Sequence, residues 1–305
     1  MEPNKTVVTI GVFDGVHAGH RALIAQARDI ANDLNATLTV ASFDPHPASV
    51  LRPESFAGLL TLPERRKELL LALGVDHVEF LTFDDSMRSM DPESFIEDIL
   101  VDRLGADVVL VGTNFRFGKK AEGDIDTLRN MSEKFGYSVV TVDLAGDDTA
   151  WSSTRIRNLI SDSHVAKAAD LLGRNHRLTG VVVHGDHRGR ELGFPTANLE
   201  VDEPLIIPAD GVYSAVMLWD DRHWPAAVSV GTNPTFDGVV GRRVEAFVIG
   251  ETDLDLYDHR ISLDFIDFVR PMVKFGGLDE LIMAMNADVA KAHGQITDFL
   301  DLQGN

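Results

Sequence analysis

The chain contains no cysteine. A disulfide framework is therefore excluded, and so is any metal or redox site built on thiolates. No apolar run approaches the roughly 18 residues that read as a membrane-spanning helix, and the first residues lack the basic-then-apolar pattern of a secretory leader. Positive charge is scarce: 28 Lys and Arg stand against 48 Asp and Glu, a net charge of −20. Residues 1–172 and 173–305 each carry −10, so the acidity is spread and forms no tail. So acidic a surface repels a phosphate polymer, which argues against nucleic acid as a partner. It leaves room for a single nucleotide, which a few local donors and Mg²⁺ can hold. Internal repeats and low-complexity tracts are also missing. What is present is ordinary for a globular protein: 44% hydrophobic and 25% charged residues over 305 positions, enough for two cores. The expectation is a soluble, cytoplasmic protein without a membrane segment; its oligomeric state is left open.

The first half alternates between strand and helix patterns. "TVVTIGVF" (6–13), "TLTVASF" (37–43), "HVEFLTF" (77–83), "ADVVLVG" (106–112) and "YSVVTV" (137–142) read as strands. Helices are expected over 19–34, after a Thr61–Glu64 capping box, from Asp91-Pro92-Glu93 to about Leu104, and near 125–135. Such alternation implies a mostly parallel sheet covered on both faces, with ligands beyond the carboxyl ends of its strands. After "DLLGRNHRLTG" (170–180) the pattern changes to short apolar runs between Gly, Pro and Asp turns, which suits an antiparallel barrel or sandwich. A hairpin is expected across Asp220–His223. Leu278, Leu281, Ile282, Met285 and Val289 have the spacing of a final helix. The boundary is placed at 172/173.

"GVFDGVHAGH" (11–20) leaves the end of the first strand. His17 and His20 could be half of a metal site, although no further ligands stand at zinc-like spacing. They could equally be structural histidines at a turn. A third reading is phosphate handling: a helix starting near Gly19 aims free N–H groups at an anion, and imidazoles there can hydrogen-bond charge that develops on a phosphate. "GTNFRFGKK" (112–120) fails as a P-loop, because five residues separate Gly112 from Gly118 and Lys120 occupies the Ser/Thr position. It nevertheless lines the same sheet edge. "SSTRIR" (152–157) opens a helix with hydroxyls and arginines, as an N-cap or as a triphosphate contact.

"GVFDGVHAGH", "FDPHP" (43–47), "VGTNFRFG" (111–118) and "SSTRIR", in that order, resemble the nucleotidyltransferase module of the prokaryotic bifunctional FAD synthetases. "GRELGFPTANL" (189–199), "DGVYSA" (210–215), "SVGTNPTF" (229–236), "VEAF" (244–247) and "DLY" (255–257) resemble the riboflavin kinase module of the same family. The likeness spans nearly the whole chain. It implies an α/β protein: a Rossmann-like nucleotidyltransferase domain with a parallel sheet over 1–172, then an antiparallel β-barrel kinase domain with a C-terminal helix over 173–305.

The resemblance further implies two successive reactions. Riboflavin and ATP give FMN and ADP; FMN and a second ATP then give FAD and pyrophosphate. By motif, His17 and His20 are catalytic and face the triphosphate, and Gly11, Phe13 and Asp14 of the same loop bind ATP or flavin. Ser153, Thr154 and Arg157 help to hold the triphosphate, and Asn114 lies at the flavin-phosphate end. In the kinase module Gly193, Pro195, Thr196 and Asn198 bind ATP and flavin. Thr196 and Asn198 offer hard oxygens to Mg²⁺, which travels with ATP and is not a tightly bound resident metal; Glu245 is the base. The chain departs from the family pattern in three places. Asn114 stands where many members carry Asp, Leu51 where an aromatic flavin contact is expected, and Asp258 where Gly is usual, although Asp tolerates a left-handed turn. The competing readings are a nucleotidyltransferase for another substrate fused to a flavin-binding barrel, and a non-catalytic flavin carrier.

Overall fold

The computed structural model describes residues 5–143, 151–185, 193–232, 242–251 and 253–303. It divides into two compact units, Met1–Ser153 and Thr154–Asn305.

The first unit is a five-stranded sheet in the order β3 (His77–Leu81), β2 (Thr37–Phe43), β1 (Thr6–Ile10), β4 (Val108–Gly112), β5 (Ser138–Val142). Every pairing is parallel. Successive apolar residues point to opposite faces, so Val7, Leu38, Val40, Val108 and Leu110 join one core while Val8, Ile10, Ala41, Val109 and Val111 join the other. Helices α1 (Ala18–Asp33) and α3 (Pro63–Ala72) supply Leu23, Ile24, Ala27 and Leu70 to the first core. The second core is closed by α5 (Pro92–Ser94), which continues as π-helical turns over Phe95–Arg103, and by α6 (Ile125–Phe135). Short helices α2 (Pro47–Leu51) and α4 (Asp85–Ser89) follow β2 and β3. Because β2 flanks β1 on one side and β4 flanks it on the other, chain direction switches at the centre of the sheet. That is where an open α/β sheet leaves a ligand crevice.

Two local expectations are corrected. β1 stops at Ile10 rather than Phe13, because Phe13 turns to a left-handed φ of 51°. The Thr61–Glu64 capping box does not form. Leu62 is the N-cap and Pro63 starts the helix, while the Thr61 hydroxyl and N–H are both taken by the Asp14 carboxylate.

The second unit begins with α7 (Ser153–Ser161, whose first residue belongs to the first unit) and α8 (Val165–Leu172), which ends at left-handed Gly173. Six antiparallel strands then close a barrel in the order β10 (Arg242–Val248), β7 (Thr196–Val201), β6 (His176–Val183), β11 (Arg260–Arg270), β8 (Gly211–Trp219), β9 (Arg222–Thr232). Closure removes the exposed sheet edges that a sandwich would keep. The β8–β9 hairpin turns on Asp220 and Asp221 alone, both at positive φ, and Arg222 and His223 already pair in β9. Asp258 has a φ of 63°, the left-handed turn expected of it. Val165, Ala168 and Leu172 of α8 are buried. The final helix, α9 (Leu278–Gln303), packs Val289 and Ala292 on Val212, Ala227 and Val269.

Candidate active sites

The loop between β1 and α1 is held in a costly conformation. Phe13, Gly15 and Val16 have φ of 51°, 86° and 42°. A β-branched valine there is a true outlier, a strain of roughly 1–3 kcal/mol. Surrounding hydrogen bonds maintain it. The Asp14 carboxylate accepts from the backbone N–H groups of Leu60 and Thr61 and from the Thr61 hydroxyl, the Gly15 N–H donates to Thr61 Oγ1, and Ser153 Oγ donates to the Asp14 carbonyl. Asp14 is fully buried. Its side chain therefore shapes the loop and lines neither cavity described below.

The loop delivers His17 as the N-cap of α1, with no side-chain capping bond. The His17 and His20 rings stack at 3.7 Å and 20°, and Phe13 meets His20 edge-on at 5.2 Å. Parallel stacked rings do not converge on one point, as two ligands of one metal would. A Cβ on Gly19 would lie 3.3 Å from the His17 ring, so glycine leaves space for it. His20 Nδ1 is buried without a hydrogen-bond partner among the described residues. Burial, then the nearby His17 and Arg66 charges, hold the His20 imidazole well below its ordinary pKa, so it is neutral in the free protein.

A cavity of about 320 Å³ opens here, lined by Gly11, Phe13, His17, His20, Leu23, Asn114, Phe115, Trp151, Ser152 and Ser153 among others. Thr154 and Arg157 follow in α7 but fall in the second unit. A second cavity, about 720 Å³, lies between the ends of β1, β2, β3 and β4. Its walls include Phe43, Leu51, Phe83, Met87, Phe95, Phe115 and Phe117, and four cations, Arg88, Arg116, Lys119 and Lys120, also line it. The two cavities share Gly11, Asn114 and Phe115. Two ligands could thus meet end to end beside the stacked histidines.

Sequence reasoning found the aromatic surface of "GTNFRFGKK", the Leu51 position and the motif that holds Phe43, but not the remaining apolar walls of the larger cavity, Phe83, Met87 and Phe95. Phe43, Phe83, Met87 and Phe95 come from four separate segments and carry no shared local pattern; only the edge-to-face packing of Phe43 and Phe83 at 5.8 Å unites the first pair. Leu51 lines this cavity as an aliphatic wall. Trp151 was also missed. Its only sequence signal was its place immediately before "SSTRIR".

In the barrel, Gly193 has a φ of 83° and Pro195 leads directly into β7. Asn198 pairs with Glu245, and Thr196 with Phe247. Thr196, Asn198 and Glu245 alternate with the buried Ala197, Leu199, Val244 and Ala246. They therefore share the outer face of the barrel wall, and Ser229 flanks Glu245 on β9. A Cβ on Gly185 would come within 2.2 Å of the Asn198 amide, so the chain after β6 passes directly over this face. His184 stacks on Tyr257 at 4.1 Å. The motif residues 189–192 and 233–236 lie outside the described residues. Among the described residues, no group of three or more His, Asp or Glu is placed to hold a metal ion. The hydroxyl and amide oxygens of Thr196 and Asn198 are nevertheless a hard donor set of the kind Mg²⁺ takes when phosphates complete its shell.

The comparisons with known proteins agree with this division. A family model described as FAD synthetase matches residues 1–155, and one described as riboflavin kinase matches residues 172–296. The bifunctional riboflavin kinase/FMN adenylyltransferase of Pseudomonas fluorescens is 37% identical over 95% of this chain and 93% of its own length. The Escherichia coli K12 protein of the same description is 33% identical over 90% and 88%. A Streptococcus pneumoniae crystal structure described as a macrolide-efflux protein superposes with a TM-score of 0.86 at 31% identity, covering 96% of this chain and 95% of that one. In the present chain no described helix is long and apolar enough to cross a membrane. Matches to both modules, in this order and over nearly the full length, leave one conclusion: the chain belongs to the bacterial bifunctional riboflavin kinase/FMN adenylyltransferase (FAD synthetase) family, with the adenylyltransferase in the parallel-sheet unit and the kinase in the barrel.

Proposed function

We propose that the 720 Å³ cavity holds the flavin and the 320 Å³ cavity the ATP that adenylylates it. The observation that carries this is their junction at Gly11, Asn114 and Phe115, next to His17 and His20. An FMN phosphate entering from one side meets the α-phosphorus of ATP from the other. A phosphate oxygen attacks, a new P–O bond forms, and the bond to pyrophosphate breaks. The attacking group is already anionic, so the protein supplies alignment and charge stabilisation. His17 and His20 donate to the triphosphate, helped by Ser153, and Asn114 orients the flavin phosphate.

In the barrel, Glu245 accepts the proton of the ribityl 5′-hydroxyl as that oxygen attacks the γ-phosphorus and ADP leaves. Thr196 and Asn198 would hold Mg²⁺, which when bound offsets phosphate charge. Gly193 and Pro195 set the turn that brings both residues to the site. A cytoplasmic location fits a protein that consumes ATP twice. Incubating the protein with riboflavin, ATP and Mg²⁺ and separating the flavins by chromatography tests the whole reading: FMN should appear first and FAD after it. Neither a nucleotidyltransferase for another substrate nor a non-catalytic carrier would yield that order.

Trp151 gives the adenine a ring to stack on, an interaction worth about 1–3 kcal/mol per base. ATP should therefore quench part of the tryptophan fluorescence. Trp151→Leu should lose that component and raise the KM for ATP in adenylyl transfer about tenfold, leaving the barrel's Trp219–Trp224 pair unaffected. An unchanged quench in this variant would place the adenine elsewhere.

The two chemistries should also separate physically. A fragment from Thr154 to the end keeps α7 and α8 with the barrel and is expected to make FMN but no FAD. Starting at Gly173 instead removes Val165 and Leu172 from their buried places, at about 1.5–3 kcal/mol for each large aliphatic side chain. That shorter fragment should melt earlier. If the Thr154 fragment folds by circular dichroism yet cannot phosphorylate riboflavin, the kinase site draws on the first unit.

A further inference from the structure

One densely bonded side chain of the first unit is not used by the mechanism above. Arg66, on α3, is 1% exposed. Its Nη1 donates to the Val12 carbonyl at 3.1 Å, to Ser42 Oγ at 3.0 Å and to the Phe43 carbonyl at 3.1 Å. Nη2 reaches the Thr61 carbonyl at 3.3 Å and lies 3.8 Å from the Asp14 carboxylate. The guanidinium sits over the Phe80 ring at 5.7 Å. One planar group thereby ties together the loop after β1, the end of β2 and the segment before α3.

These tethers land on both cavities. Val12 and Phe43 line the larger one, while Asp14 anchors the strained loop that presents His17 and His20 to the smaller one. Phe13 and Val16 would relax from their left-handed conformations if nothing opposed them. The Asp14–Thr61–Arg66 cluster opposes them. Arginine suits the task because its rigid fork of donors spans several acceptors at once, whereas an ammonium is a single point of charge.

We propose that Arg66 is a positioning residue for adenylyl transfer: through Asp14, Val12 and Phe43 it sets the distance and angle between the flavin phosphate and the α-phosphorus. It touches neither substrate and acts through the loops that do. The inference rests on the two-cavity reading given above. Misplacing reactants by about 1 Å costs on the order of 10²-fold in rate, and such a loss appears in kcat. Substrate affinity comes from the cavity walls and should change little.

The test uses the full-length protein. Arg66→Lys keeps a buried positive charge but cannot span the same acceptors. Thr61→Val keeps the volume but removes the hydroxyl that bridges Asp14 and Gly15. Each should lower kcat for adenylylation of supplied FMN by roughly 10- to 100-fold, with KM for ATP and for FMN held within about threefold and riboflavin phosphorylation unchanged in the same sample. The double variant should lose less than the product of the single losses, because both act on Asp14. Wild-type kcat in either folded variant, or a loss confined to KM, overturns the inference. If Arg66→Lys proves unfolded in the first unit, Thr61→Val decides alone. His20→Ala separates the two levels. Full activity in that variant would sink the two-cavity reading itself, whereas loss there with full activity in the Arg66 and Thr61 variants would sink only the role of Arg66.

Discussion

Glu245→Gln should lower riboflavin phosphorylation by roughly 10²–10⁴-fold, the usual contribution of a general base, and leave adenylylation of supplied FMN intact. The glutamine preserves shape and hydrogen-bonding reach but cannot take the hydroxyl proton. Its position makes the test clean. Glu245 sits mid-strand in β10 between Asn198 on β7 and Ser229 on β9, on the outer face of a closed barrel whose core residues point the other way. The substitution therefore disturbs no core packing. Steady-state rates of FMN formation, measured beside a thermal melt, decide the matter. Wild-type phosphorylation would rule Glu245 out as the base.

His20→Ala should cost adenylyl transfer on the order of 10²-fold, the scale of one donor removed from a developing charge. Riboflavin phosphorylation continues, so FMN accumulates in a coupled assay and FAD does not. A variant that makes FAD at the normal rate would remove His20 from the mechanism. The protonation state of His20 adds a second, independent reading. Burial keeps the free imidazole neutral well below its ordinary value, about 6.5 in an unstructured chain. An arriving triphosphate favours the imidazolium, so the complex binds more protons than the free protein. By linkage, ATP affinity rises as pH falls through the window between the bound and the free values. The binding enthalpy should then depend on the ionisation heat of the buffer, and His20→Ala should abolish that dependence. Without nucleotide the sign for stability is opposite. The unfolded chain takes up this proton near pH 6.5 and the folded one does not, so stability falls as pH drops below that point.

Much of the molecule was legible before any coordinates. Alternating apolar runs announced the parallel sheet, and the Gly-, Pro- and Asp-broken runs after residue 173 announced an antiparallel second half. Both follow from local periodicity, which a short window of sequence contains. The positions of His17, His20, Asn114 and Ser153 at one sheet edge were also readable, because each follows or precedes a recognisable element. Local rules failed where a distant group outbid them. Thr61 had the spacing of a capping residue, yet its hydroxyl serves Asp14, 47 residues away in sequence. A strand expected to reach Phe13 ended at Ile10 because the loop beyond it is clamped by buried hydrogen bonds.

By itself, then, the sequence determined the order of strands and helices and, through its motifs, the two-module plan, since periodicity and motif spacing are properties of neighbouring residues. The tertiary structure alone decided that the Asp14 carboxylate is buried among the loop's own hydrogen bonds, and that Phe43 at the end of β2, Phe83 after β3, Met87 of α4 and Phe95 after α5 line a single 720 Å³ cavity. It alone brought Arg66 to Val12 and Phe43, which line the larger cavity, and to Asp14, which anchors the loop at the smaller one. The physical reason is common to all three. A buried charge must find its partners, and an apolar wall its neighbours, wherever the folded chain brings them, and their separation along the sequence carries no record of the meeting.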